Sequence, residues 1–206
     1  EQKEYVKLDK IPACVQYAFV AAVDSRFYEH KGVDLSAIFQ EFVDDLSEKD
    51  QVKSTSTITQ QLARKIYLTD DKTYERKVRE IFYAMELEKK YTKDQILEFY
   101  INNVCFANAK YGIESASRAY FSKGTSELNL AEVAFLCSIP NRPETYNPLE
   151  HYDNAIKRKD RILKQLLQEK KITEAEYSDA SYTAKPCSEM LWINVQRMYH
   201  NQGGTI

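Results

Sequence analysis

Three stretches concentrate side chains able to do chemistry. The first, VDSRFYEHKGVD (residues 23–34), sets Asp24, Arg26, Glu29 and His30 within seven positions, either a site for chemistry or a surface charge set, and spacing alone does not choose. The position just before Asp24 is Val23, a hydrocarbon that can neither take nor give a proton. The second, STSTITQQLARK (residues 54–65), packs five hydroxyls and two amides into its first eight positions, with Arg64 and Lys65 behind them. Two readings stand for it: a Ser/Thr cap before an ordinary helix, or a polar wall for a sugar or phosphate ligand. The third, ERKVRE (residues 75–80), puts Arg76 four and Lys77 three residues before Glu80, so all three share one helix side. That cluster is either a solvated salt-bridge face or a carboxylate between two cations, fit to hold a metal or to meet an anionic diphosphate.

Elements of helical period must position these groups. Val15, Ala18, Phe19, Ala22 and Val23 fall on one face of a helix predicted over residues 11–27. His30 and Gly32 end that segment, with Gly32 suited to a left-handed cap. Leu35, Ile38, Phe39, Phe42, Val43 and Leu46 form an amphipathic stripe, followed by a polar loop over 47–56. Residues 57–68 continue as helix. The pattern then predicts a strong helix over 74–91, with Val78, Ile81, Phe82 and Met85 turned inward. Thr92 with Gln95, Asn129 with Glu132 and Thr173 with Glu176 are capping boxes that start further helices. Short and long helices are expected over 113–121 and 151–171. Pro140, Pro143 and Pro148 close the helix that Asn129 opens. The expectation is an all-α chain of eight to ten helices, with a weakly patterned tail or linker over 183–206.

Composition agrees. The 206 residues include five Gly and five Pro, too few for a turn-rich β fold. A net charge of -2 gives no global basic field, so nucleic acid is not an expected partner. Cys14, Cys105, Cys137 and Cys187 lie at no metal-ligand spacing and read as small hydrophobes. The longest uncharged apolar run, 18–23, is far short of the ~20 residues of a spanning helix. The chain opens on Glu1, as expected where an anchor or signal has been removed.

Taken in order, VDSRFYEHKGVD, STSTITQQLARK, RKVREIFYAMELEKKYTKDQILEFYINNVCF, YGIESASRAYFSK and LNLAEVAFLCSIPNRPETYNP resemble the peptidoglycan glycosyltransferases of glycosyltransferase family 51. These are the transglycosylase domains of class A penicillin-binding proteins and their monofunctional relatives. The resemblance runs over residues 11–180 and implies a lysozyme-like helical fold over 1–182, with a small membrane-facing lobe and the second motif over about 31–75. It implies polymerisation of lipid II into glycan strands, with loss of undecaprenyl diphosphate, on the extracytoplasmic face of a bacterial cell membrane. Expected partners are lipid II, the nascent glycan strand and the membrane surface, with a transpeptidase domain plausible after residue 206. No organic cofactor is expected; positive charge, or a divalent cation such as Mg or Mn, must stabilise the departing diphosphate.

Carried onto this chain, the resemblance assigns the family's base glutamate to Val23 and its second carboxylate to Glu80, with Asp24 beside the base position. Ser56, Thr57, Thr59, Gln60, Gln61, Arg64, Arg76, Lys77, Asn102 and His30 fall at substrate- or diphosphate-binding places. Losing a general base costs about 100- to 10,000-fold. Asp24 is a poor stand-in, because one helical step turns a side chain by about 100°. Ser54 and Thr55 stand where the family has glycine, and Ala107, Asn108 and Ala109 replace its Gly-x-Gly, so added methyls are expected to forbid positive φ or block close approach. These glycine losses favour natural divergence over a single engineered change. Three functions follow: a weakened glycosyltransferase, a binding module that holds lipid-linked sugar without chemistry, or a glycan hydrolase, which would need an acid at position 23. The 35–46 stripe faces either lipid or the core.

Overall fold

Local caps fix where several helices begin. Thr92 and Gln95 exchange hydrogen bonds of 2.9 and 3.3 Å at the start of a helix over Lys93–Asn103. Asn129 and Glu132 do the same before Leu130–Ser138, as do Thr173 and Glu176 before Glu174–Tyr182. The computed structural model describes residues 4–46, 56–68, 73–140 and 142–182. Among these residues nine α-helices follow in order: α1 Ala13–Val23, α2 Leu35–Leu46, α3 Ile58–Tyr67, α4 Tyr74–Lys90, α5 Lys93–Asn103, α6 Ile113–Phe121, α7 Leu130–Ser138, α8 Tyr152–Gln168 and α9 Glu174–Tyr182. The only β-type pairing described is one antiparallel bridge between Cys105 and Tyr111. No described helix is long and apolar enough to cross a membrane. Ser54, Thr55, Cys187 and the 183–206 tail lie outside the described residues.

The chain divides into two compact units, one of Glu1–Ala22 with Ile101–Ile206 and the other of Val23–Tyr100. In the first, α7 is buried from Ala131 to Ser138 and packs against α8, which turns Ala155, Ile162, Leu163 and Leu166 inward. Phe121 meets Phe135 edge-on at 5.9 Å, and Phe19 meets Phe106 at 6.0 Å. Cys137 is buried there as a small hydrophobe, and burial pushes its thiol well up; Cys14 and Cys105 are half-buried, and all three are free. In the second unit α3 packs on α4, burying Ile58, Leu62 and Ala63 together with Ala84 and Leu87.

Three expectations change. First, α1 stops at Val23 instead of continuing to residue 27. The Ala22 carbonyl, which a further turn would need, accepts instead from Arg158 Nη2 at 3.1 Å. Residues 25–33 then run as turns, and Gly32 is not a helix cap. At φ +95° it lets the loop approach α4: a Cβ there would lie 2.9 Å from the Ala84 carbonyl oxygen.

Second, α4 is rotated from its predicted orientation. Val78, Phe82 and Met85 are 67%, 58% and 47% exposed, Ile81 is half-buried, and the inward stripe is Glu80, Ala84 and Leu87. Two stripes of helical period compete on this helix. The one carrying Glu80, Ala84 and Leu87 faces α3, and Glu80 is tolerated there because Arg76 and Lys77 pair with it. Third, the start of α2 faces outward: Leu35, Ile38 and Phe39 are exposed, so of the two orientations open to it the core-facing one fails for these residues. The side chains of Phe42, Val43 and Leu46 lie outside the described set.

Candidate active site

The site residues of the Val23–Tyr100 unit gather in two clusters. The first surrounds Asp24, which is buried directly after α1. Its Oδ1 and Oδ2 accept from His30 Nε2 at 3.0 and 2.9 Å, and Oδ2 also accepts from the Ile58 N–H at 3.0 Å. His30 Nδ1 accepts from the Gly32 N–H at 3.2 Å, which puts the ring proton on Nε2, where it donates to Asp24. Ile58 opens α3, so the carboxylate also meets the positive end of a helix. Thr57 Oγ1 donates to the Gly32 carbonyl at 2.6 Å and accepts from the Gln60 N–H at 3.1 Å, while Gln60 Oε1 accepts from the Thr57 N–H. The loop is thereby stitched to the first turn of α3. Asp24 and His30 thus tie the loop to the start of α3, and Val23, half-buried at the end of α1, brings no proton acceptor.

The Thr/Gln run spends its polarity inward. Thr59 is fully buried and donates to Glu88 Oε1 at 2.6 Å; the same oxygen accepts from Lys93 at 2.7 Å, and that ammonium lies 4.4 Å from the Phe27 ring centroid. Gln61 Nε2 donates to the Ser56 carbonyl at 3.1 Å, and its Oε1 accepts from Tyr100 Oη at 3.1 Å. Thr57, Thr59, Gln60 and Gln61 are all buried. Of the two readings of this run, the internal ties fit the capped helix start. Ser56 and Arg64 stay half-buried, and the Arg64 guanidinium has no hydrogen bond or ion pair among the described residues.

The second cluster is cationic. Glu80, 1% exposed, accepts from Arg76 Nη1 at 2.9 Å on one oxygen and from Lys77 Nζ at 2.6 Å on the other. Lys77 Nζ also donates to Ser56 Oγ at 2.8 Å, bridging α4 to the residue before the Thr57 cap. A buried carboxylate costs several kcal/mol unless paired, and two cations pair this one. Two positive charges against one negative leave the cluster with a single positive charge. Lys77 is 41% exposed, so its third proton reaches toward solvent. The donor set does not fit a divalent cation: both Glu80 oxygens are taken, and no group of three His, Cys, Asp or Glu is assembled among the described residues.

Two further pieces escaped the sequence reading. Asp34 caps α2, accepting from the Ala37 N–H at 3.0 Å and from Arg26 Nε at 3.0 Å. Burial alone would raise its carboxyl, but the Ala37 N–H and the Arg26 guanidinium outweigh that and hold it below its ordinary value. An aspartate just ahead of an apolar-periodic run was the signal for this cap. The Glu88–Lys93 pair gave no signal, since its partners come together only through packing.

In the other unit, Asn102 spends its amide on the chain itself. Nδ2 donates to the Val6 carbonyl and Oδ1 accepts from the Val6 N–H, both at 2.8 Å, tying down the N-terminal segment. The expectation that methyls would forbid positive φ after Phe106 also fails. Ala107, Asn108 and Ala109 all adopt it, at 63°, 47° and 55°. Such residues cost about 1–2 kcal/mol each. Bonds from Lys110 N to Ala107 O at 2.9 Å and from Asn108 Nδ2 to Asn147 Oδ1 at 2.8 Å and Tyr120 Oη at 3.0 Å hold the turn.

Comparison with known proteins places this arrangement. The transglycosylase family model matches residues 1–167. Penicillin-binding protein 4 of Bacillus subtilis is 42% identical over 87% of this chain and 29% of its own length. Penicillin-binding protein 1A of Escherichia coli is 37% identical over 96% of this chain and 25% of its own. The chain thus spans between a quarter and a third of these relatives. The solved penicillin-binding protein 1A of Haemophilus influenzae superposes with a TM-score of 0.52 at 22% identity, covering 88% of this chain and 17% of that one. That likeness speaks for the all-α, lysozyme-like fold alone. The matched residues and the level of identity together make the chain a member of the transglycosylase family.

Proposed function

We propose that this chain is a peptidoglycan glycosyltransferase-type domain that holds lipid II and the glycan strand while its polymerising step is disabled, or nearly so. One observation carries the reading. Position 23 is a hydrocarbon, and the carboxylates of Asp24 and Glu80 spend both their oxygens on protein partners. Glycan-strand growth needs a base to take the proton from the attacking sugar hydroxyl. Neither carboxylate can do so without abandoning buried donors. The leaving side is better served: Lys77 and Arg76 offer positive charge where a departing diphosphate would build up negative charge. The pairing of an intact leaving-group side with a silent acceptor side favours a binding scaffold for lipid-linked sugar over a working polymerase. The test is polymerisation of lipid II by the chain and by Val23→Glu. No glycan from the parent and ready glycan from the variant supports the reading. Glycan strands from the unaltered chain would establish the weakened-polymerase reading instead.

The exposed apolar residues of α2 and α4 support contact with the outer face of a bacterial cell membrane. Leu35, Phe39, Val78 and Phe82 are each more than half exposed, more bulky apolar surface than solvent-facing helices ordinarily carry. Vesicle flotation should fall severalfold for Phe39→Ser with Phe82→Ser, and unchanged flotation would remove the membrane claim. That the relatives are penicillin-binding proteins several times longer supports a transpeptidase domain after residue 206.

A further inference from the structure

We infer that the hollow between the N-terminal segment and the start of α6 binds a small zwitterion of the amino-acid class, its carboxylate on Lys10 and Ser126 and its ammonium on Glu4. The hollow measures about 370 Å³ and lies wholly within the unit of Glu1–Ala22 and Ile101–Ile206. That volume is at the lower end of the range in which small ligands are held. Both walls are tied into the fold. Asn102 fixes Val6 through both of its amide atoms, at 2.8 Å each. Opposite, Glu114 is buried, and its Oε2 accepts from the Thr125 N–H at 2.8 Å and from Thr125 Oγ1. Arg118 joins the two walls: its Nε donates to Glu4 Oε2 at 2.9 Å, and its Nη2 pairs with Glu114 Oε1 at 2.8 Å.

Charge decides what such a hollow takes. Glu4 and Glu114 share the one guanidinium of Arg118, which leaves one negative charge in excess. Lys10 balances it without touching it: Lys10 and Glu4 line the same space and form no ion pair with one another. The Lys10 ammonium and the Ser126 hydroxyl have no hydrogen-bond partner among the described residues, and Glu4 Oε1 has none either. An anion alone would meet two carboxylates, and a cation alone would meet Lys10. A molecule that carries both charges a few bonds apart satisfies each side with a charge-assisted hydrogen bond. Tyr5, 51% exposed, adds ring surface for the body of the ligand. Glu114 is a positioning residue, since both of its oxygens are taken within the protein.

The test is an NMR titration of the 206-residue chain with glycylglycine, acetate and ethylamine in turn, read at the Thr125 and Ser126 amides. Glycylglycine should shift both saturably, with a Kd of about 1 mM, and the two half-ligands should bind about tenfold more weakly or worse. Lys10→Gln and Glu4→Gln should each weaken glycylglycine about tenfold. Both side chains are exposed, so both variants should fold, and the Val6 amide reports whether the N-terminal segment stays in place. Where Glu4→Gln moves the Val6 signal, Lys10→Gln alone decides. Absence of a saturable shift with glycylglycine overturns the inference. So does acetate or ethylamine binding as tightly as glycylglycine, or a Lys10→Gln chain that binds glycylglycine as well as the parent. The function proposed above stands on other residues and is untouched by any of these results.

Discussion

The Asp24 and Glu80 clusters belong to the same unit, and each is built on one buried carboxylate. Their partners differ. Asp24 is held by an imidazole and a backbone amide that packing fixes in place, and all of its capacity is turned into the protein. Glu80 is held by two long cationic side chains, one largely buried and one that still reaches solvent. A carboxylate held by fixed donors organises the chain. One held by long cationic side chains organises charge that a ligand can use. On the function proposed above, the first arrangement makes the acceptor side architecture, and the second leaves charge for the leaving group.

Four substitutions can break or sharpen this contrast. The largest effect is expected from Val23→Glu. If only the base is missing, lipid II polymerisation should rise by about 100- to 10,000-fold; a smaller gain would show that the acceptor side has been remodelled more deeply. Asp24→Ala comes next, costing about 3 kcal/mol in denaturant unfolding, because the Ile58 N–H and His30 are left buried without an acceptor. Glu80→Gln should cost less, about 2 kcal/mol, since Lys77 can turn to water, as its 41% exposure permits. A loss equal to that of Asp24→Ala would erase the distinction between the clusters.

The smallest change lies beside the first cluster. Asp34→Ala removes the α2 cap for about 1 kcal/mol. The folded Asp34 carboxyl sits below its ordinary 3.8. Its contribution is therefore complete above that pH and is lost as pH falls through the lower folded value. The acid limb of a stability–pH curve should flatten in the variant.

What the sequence disclosed follows from distance along the chain. The boxes at Thr92, Asn129 and Thr173 were readable because donor and acceptor are three residues apart. The residue types of both clusters were readable too, as motifs. How those residues are used was not. The end of α1 depends on Arg158, which is 136 residues from Ala22. The inward turn of Thr59 depends on Glu88, 29 residues on. The rotation of α4 could not be read from periodicity, because Val78, Phe82 and Met85 form as good a stripe as Glu80, Ala84 and Leu87. Packing against α3 and the ties from Lys77 to Ser56 and from Thr59 to Glu88 decide between them.

The left-handed run at Ala107, Asn108 and Ala109 bears on how lost glycines should be understood. The amide of Asn108, paired with that of the distant Asn147, keeps the main chain on a path that alanine resists. What two extra methyl groups change is clearance. A ligand approaching that bend would meet the same curve of backbone, with less room above it.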